Sequence, residues 1–266
     1  MKTRTSLRPL SSLCAALGVA VLAALLSAAP ARAATFAVDP VSLTLARGNS
    51  SASVAITNQS TQKLRLQVTG FSWKESDTGE MQLASTQDIV FFPQILELGP
   101  GETKRVRIGV TQARGPLEGS YRVFMEELPS LESVVTPKAA SVTIRMKVGI
   151  PVFLSPAGVP SAKGEVRGAS ANGDSLSFDV ANTGNVHFSI QRVHVAGKNA
   201  DGKTIVAQDL DGWYVLPGGT RRFTIPLSKA HCEALRSLSV NVDAAPLKFE
   251  NSFSDISKRC GSSARP

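Results

Sequence analysis

The three histidines are the residues that could bind a metal ion or act as a general base. His187, His194 and His231 all lie in the second half of the chain, and their spacing does not match a metal-ligand pair. His187 and His194 are seven residues apart in a region of strand and turn character, so their side chains need not face the same side. We expect ordinary surface or core histidines, with no metal and no cofactor.

A nucleophilic serine would be another route to catalysis. Residues 168–172 (Gly-Ala-Ser-Ala-Asn) miss the nucleophile-elbow pattern at its last position. Asp77, Asp174 and Asp211 fit turn positions better than a catalytic set. The sequence therefore predicts that the protein is not an enzyme.

The N-terminus has the three-part layout of a cleaved secretory signal. Lys2, Arg4 and Arg8 precede an apolar run over residues 13–26, which ends in small residues at 31–33 (Ala-Arg-Ala). The apolar run is shorter than the roughly 20 residues that a membrane span needs. We predict a signal peptide over residues 1–33, periplasmic location and no membrane insertion after cleavage.

Removal of this segment leaves 25 cations and 21 anions. Nucleic-acid binding normally needs a clustered basic face with interleaved aromatic residues, so we expect no nucleic-acid partner. Cys232 and Cys260 remain after cleavage. Since an even number of cysteines in an oxidising compartment indicates a disulfide, we predict one bridge between them.

The mature sequence consists of short alternating or β-branched runs separated by turn residues, such as 99–101 (Gly-Pro-Gly) and 199–202 (Asn-Ala-Asp-Gly). This spacing predicts an all-β, antiparallel sandwich architecture. Prolines and a glycine at 155–160 predict a domain boundary near residue 157. The one helical candidate is a single turn at residues 229–235. Trp73 and Trp213 lie among strand residues and are expected to pack in the cores.

The longest predicted strand covers residues 141–154. It places five apolar side chains on one face: Val142, Ile144, Met146, Val148 and Ile150. Thr143, Arg145, Lys147 and Gly149 occupy the other face. By itself this pattern also fits an ordinary sandwich strand.

Several motifs, in joint order, resemble the PapD-like periplasmic pilus chaperones of chaperone–usher systems. They are 98–101 (Leu-Gly-Pro-Gly), 105–107 (Arg-Val-Arg), 121–122 (Tyr-Arg), 126–129 (Glu-Glu-Leu-Pro), 150–156 (Ile-Pro-Val-Phe-Leu-Ser-Pro), 180–185 (Val-Ala-Asn-Thr-Gly-Asn) and 215–219 (Val-Leu-Pro-Gly-Gly). The resemblance implies two immunoglobulin-like domains in tandem, at residues 34–157 and 158–266.

The resemblance also implies a function. Such chaperones bind pilus or fimbrial subunits by donating a β-strand, and deliver them to an outer-membrane usher. The donor positions in this sequence would be Val142, Ile144, Met146 and Val148. A secreted adhesin or carbohydrate-binding module remains the alternative, because a sandwich fold does not determine function.

The sequence departs from the best-known branch of the family at its two cationic anchors for the subunit's C-terminal carboxylate. Leu43 and Pro151 occupy the matching positions, which suggests the divergent, archaic branch. A buried carboxylate still needs a cation or several donors. We therefore predict Arg122 as the leading anchor, with Lys147 and Arg107 as weaker candidates.

Overall fold

The computed structural model describes residues 36–129, 144–254 and 256–259, the last three by their backbone. The predicted signal peptide and the positions Val142, Thr143 and Cys260 lie outside these residues. The described chain is almost entirely β, with nineteen strands and one short helix. No helix in this part of the chain is long and apolar enough to cross a membrane.

Two sheets form the first immunoglobulin-like domain. One sheet has the order β1-β3-β8-β6 and the other has the order β2-β10-β9-β4-β5, with β7 also paired to β4. The strands are β1 Phe36–Asp39, β2 Leu43–Leu45, β3 Ser51–Asn58, β4 Leu64–Glu75, β5 Met81–Ser85, β6 Ile89–Phe92, β7 Ile95–Leu98, β8 Thr103–Val110, β9 Gly119–Glu127 and β10 Lys147–Leu154.

The first core forms because alternate residues of both sheets point inward. In β9, Tyr121, Val123 and Met125 are at most 2% exposed and lie in this core. The residues between them, Arg122 and Phe124, face the opposite side of the sheet. This outer face is the one that meets the second domain.

Two further sheets form the second immunoglobulin-like domain, with the orders β16-β12-β11-β19 and β14-β13-β17-β18; β15 also pairs with β13. The strands are β11 Gly164–Asn172, β12 Ser175–Asn182, β13 Phe188–Lys198, β14 Thr204–Leu210, β15 Tyr214–Val215, β16 Thr220–Pro226, β17 Ser237–Ala245, β18 Lys248–Phe253 and β19 Ser257–Arg259. The all-β fold with two such domains is as predicted.

The single helix of the described chain, α1 (Lys229–Ala234), lies where one helical turn was predicted. Its N-cap is Ser228, whose side chain accepts a hydrogen bond from the backbone N–H of His231. The helix buries Cys232. The partner in the predicted disulfide, Cys260, lies outside the described residues, so the bridge stays a prediction.

The prediction of a strand over residues 141–154 was wrong about where the strand starts. β10 begins at Lys147, and residues 144–146 are irregular. The reason is the end of its partner: β9 stops at Glu127, whose N–H donates to the carbonyl of Met146, and Pro129 then follows without an N–H to donate. The two described residues before Met146, Ile144 and Arg145, therefore have no ladder to join on this side.

Candidate functional site

One edge of β10 is open over half its length. The strand pairs with β9 along its whole length, from Lys147 to Leu154. On the other side it pairs with β2, in parallel, only at Val152–Leu154. Among the described residues, nothing else pairs with this second edge at residues 147–151. Unpaired backbone groups of this kind can take up an additional strand.

An apolar row leads into this open edge. Ile144 is 74% exposed, Met146 and Val148 are half-buried against the first core, and Ile150 is 1% exposed. The side chains of this row therefore change from exposed at Ile144 to fully buried at Ile150. The predicted donor positions Ile144, Met146 and Val148 are accessible to a partner, whereas Ile150 belongs to the domain's own core.

Arg122 lies on the outer face of β9 and is 94% buried, being only 6% exposed. Its guanidinium carbon is 4.3 Å from the ring centroid of Trp73, 5.6 Å from that of Trp213 and 5.7 Å from that of Tyr214. Nη1 has one long hydrogen bond, 3.5 Å, to the carbonyl of Gly149. The cation is thus enclosed by aromatic rings from both domains.

Two nitrogens of Arg122, Nε and Nη2, are buried without a hydrogen-bond partner in the described chain. Burial lowers the pKa of this guanidinium, an effect that the nearby Tyr214 opposes. A buried donor without an acceptor costs about 1–3 kcal/mol, and more when it is charged. Cation–π contacts return only about 2 kcal/mol when desolvated. Arg122 therefore has two buried donor nitrogens that an anionic acceptor would satisfy.

The structure separates the other two predicted anchors from Arg122. Lys147 lies on the same outer face of the neighbouring strand, but its Nζ is 2.8 Å from Glu126 Oε2 and both side chains are about half exposed. Arg107 is an exposed residue of β8, in the other sheet, where its Nη2 donates to Ser51 Oγ. Of the three predicted anchors, only Arg122 combines burial with unused donors.

An aromatic cluster joins the domains next to Arg122. Trp73 and Phe153 of the first domain pack with Leu216 and Tyr214 of the second. Glu118, whose side chain is 3% exposed, accepts hydrogen bonds from the backbone N and from Nδ1 of His187. The second domain is therefore held against the outer face of the β10 sheet.

The prediction that both tryptophans pack in domain cores was wrong. Trp73 is 3% exposed but packs in the cluster between the domains, and Trp213 is 47% exposed. Both lie among strand-forming residues in the sequence, which is why sequence alone misplaces them, although only Trp73 belongs to a strand, β4. The pattern does not say that two sheet faces meet across a domain junction.

The other histidines have surface roles. His194 Nδ1 is 2.7 Å from Asp209 Oδ1 on the neighbouring strand. His231 lies on exposed α1. In the described ranges, no three His, Cys, Asp or Glu side chains come together in a group that could hold a metal ion.

Comparison with known proteins gives the family. Residues 35–160 match the family model described as "Pili and flagellar-assembly chaperone, PapD N-terminal domain". No curated protein matches the chain in sequence. The first domain therefore belongs to this family, and the resemblance to PapD-like chaperones of chaperone–usher systems is confirmed.

Solved structures share the fold of most of the chain. One is the complex of the chaperone CsuC with the tip subunit CsuE from archaic chaperone–usher pili of Acinetobacter baumannii, with 18% identity, a TM-score of 0.51, and coverage of 72% of this chain and 91% of that one. Another is the Salmonella enterica pilin SafA in complex with the chaperone SafB, with 17% identity, a TM-score of 0.55, and coverage of 84% and 98%. At these identities the likeness shows a common fold.

Proposed function

We propose that this protein is a periplasmic chaperone that binds pilus or fimbrial subunits by donating the edge of β10, and passes them to an outer-membrane usher. The observation that carries the proposal is the open edge of β10 next to an accessible apolar row. A subunit that lacks a strand exposes core side chains and unpaired backbone groups, which is an aggregation hazard. An added strand covers the exposed core side chains and pairs with the unpaired backbone groups.

The apolar row supplies the affinity. Full burial of an exposed side chain such as Ile144 contributes about 1.5–3 kcal/mol. Met146 and Val148 contribute less than that, because they are already half-buried. Val142, the fourth proposed donor position, lies outside the described residues.

We assign the anchoring of the subunit's C-terminal carboxylate to Arg122. In the register of the sheet, Arg122 lies directly opposite Pro151, and Pro151 is the last residue of β10 before the part covered by β2. An added strand whose C-terminus stops at this point would end near Arg122, whose two unpartnered nitrogens, Nε and Nη2, suit a carboxylate. The apolar residues Leu43 and Pro151 at the usual anchor positions support placement in the archaic branch.

The test is capture of a co-expressed subunit by Ile144→Asp. Because Ile144 is 74% exposed in the free protein, the substitution should leave its melting temperature unchanged. In the complex, the new carboxylate would be buried without a partner, so the subunit should no longer co-purify. Val159→Asp is the matched control, since Val159 is 82% exposed in the segment between β10 and β11.

Loss of capture by Ile144→Asp alone supports strand donation. Normal capture by a folded Ile144→Asp protein excludes this segment as the donor. Failure of both the wild type and the control to bind any co-expressed pilin would favour the adhesin alternative. That alternative is weaker because the exposed ring of Trp213 lies beside a buried cation, which suits an anion better than a sugar.

A further inference from the structure

Three buried nitrogen donors point to a ligand between the domains. Nε and Nη2 of Arg122 and Nε1 of Trp73 lack an acceptor among the described residues. The guanidinium lies 4.3 Å from the Trp73 ring, so these donors share one location. None of the ion pairs in the described chain involves Arg122, and its planar fork matches a carboxylate.

The second domain provides an apolar surface at this location. Trp213 is 47% exposed, and its ring centroid is 5.6 Å from the guanidinium carbon of Arg122. The ring stands nearly perpendicular to that of Tyr214, at 86° and 5.5 Å between centroids. The indole of Trp213 thus packs near the guanidinium of Arg122, and its exposed surface is accessible to a ligand.

The backbone holds Trp213 in this position. The carbonyl of Trp213 accepts a hydrogen bond of 2.9 Å from the N–H of Ile190 in β13. The preceding residue is Gly212, and a Cβ there would overlap Cβ and Cγ2 of Ile190. Only glycine allows the loop to approach β13 this closely, so Trp213 stands on a fixed segment.

We propose that Trp213 is a specificity-determining residue of the Arg122 site, and that it contacts an apolar side chain on the last residue of a bound chain whose carboxylate is held by Arg122. The inference rests on the proposed function, in which a chain end enters this site. Because Trp213 belongs to the second domain, this domain would take part in selecting the bound chain. Chains that end in an apolar residue bind better than chains that end in a small polar one.

Intrinsic fluorescence can test this, because the chain has two tryptophans and both lie beside Arg122. The probes are three short peptides: N-acetyl-Ala-Ala-Leu, N-acetyl-Ala-Ala-Ser, and the C-terminal amide of the leucine peptide. The leucine acid should change the emission saturably, with a dissociation constant in the millimolar range or below. The serine acid should bind roughly fivefold more weakly because it buries less apolar surface. The amide should not bind.

The matched variants isolate Trp213. Trp213→Ala should bind both acids equally, at the level of the serine peptide, with Trp73 as the remaining reporter. Trp213→Phe should restore the preference for leucine. If Trp213→Ala does not fold, as judged by circular dichroism, Trp213→Gln replaces it, since glutamine keeps a longer side chain there without an apolar ring.

An unchanged preference for leucine in folded Trp213→Ala or Trp213→Gln would overturn the inference, as would equal binding of acid and amide. The outcome is independent of the subunit-capture test with Ile144→Asp. If the protein captures a subunit but its peptide binding shows no preference that depends on Trp213, only this inference is refuted. If the protein prefers the leucine peptide but captures no subunit, the chaperone proposal is refuted and the assignment of the Arg122–Trp213 site is retained.

Discussion

The imidazole of His187 lies flat on the ring of Phe153, with 3.6 Å between the centroids and 12° between the planes. The two residues belong to different domains, and Phe153 lies in β10, the strand with the open edge. The strand that we propose to bind the partner therefore also holds the second domain. The open edge and the contact with the second domain thus belong to the same eight-residue strand.

The first prediction concerns this junction. Phe153→Ala should lower the free energy of unfolding by about 3–5 kcal/mol, because Phe153 is completely buried between the domains. Calorimetry should show the two domains unfolding in separate transitions. Phe71→Ala is the control, since Phe71 is a half-buried residue on the same sheet face and packs against Phe124 of its own domain. A smaller loss for Phe153→Ala than for Phe71→Ala would contradict this account of the junction.

The second prediction separates stability from binding at Arg122. Arg122→Met should raise the free energy of unfolding of the unbound protein by about 1 kcal/mol, because it removes a buried cation without an acid partner. For a protein of this size, that corresponds to about 2–4 °C in melting temperature. The same variant should lose subunit capture. Lys147→Met should change neither property strongly, since Lys147 is half exposed and paired with Glu126. Loss of capture in Lys147→Met alone would move the anchor to Lys147.

The third prediction is a pH dependence from Glu75. Burial raises the pKa of this carboxyl above its usual 4.5, although a hydrogen bond from Leu216 N and the charge of Arg221 oppose the shift. Between 4.5 and this raised pKa, the folded protein therefore binds more protons than the unfolded chain. The contribution of the protonated Glu75 to stability is fully present at low pH and is lost as the pH rises through that window.

Glu75→Gln should remove this loss and still accept the hydrogen bond from Leu216, which is 2.8 Å long in the wild type. Urea unfolding between pH 4 and pH 8 should show the variant gaining on the wild type as the pH rises. Glu80→Gln, an exposed position in the same hairpin, should follow the wild type. An advantage for Glu75→Gln that is largest at pH 4 would show that the sign is wrong.

The fourth prediction is the disulfide between Cys232 and Cys260. A bridge closing a loop of about 28 residues should contribute roughly 3–4 kcal/mol on the chain-entropy model. Cys232 is completely buried on α1, so labelling must be done after denaturation. Oxidised mature protein should then show no reactive thiol, and stoichiometric labelling of both cysteines would disprove the bridge.

Much of the fold follows from local patterns in the sequence. In β8 and β9 the apolar residues that alternate in the sequence, such as Val106 and Ile108 or Val123 and Met125, are the ones buried in the core, because one face of each strand packs there. The limits of β10 were harder to predict. Ile144 and Met146 continue the alternation of the strand, but a ladder also needs a partner, and β9 ends first.

The candidate site could also be predicted only in part from the sequence. Arg122 could be proposed from its position in the motif and its charge, whereas its aromatic enclosure could not. That enclosure brings Trp73, Trp213 and Tyr214 together across two domains, and no spacing in the sequence encodes such a contact. An isolated half-exposed tryptophan after Gly212 carries no pattern that would assign it to the site.

The short strand β2 has a consequence for the length of any ligand. It occupies the edge of β10 from Val152 onward, so an incoming strand can advance to Pro151 and no further. In the proposed complex, β2 would therefore limit how far the C-terminus of the bound chain can extend along β10. A subunit extended at its C-terminus, for example by an affinity tag, would collide with β2, whereas the same tag at its N-terminus would be tolerated.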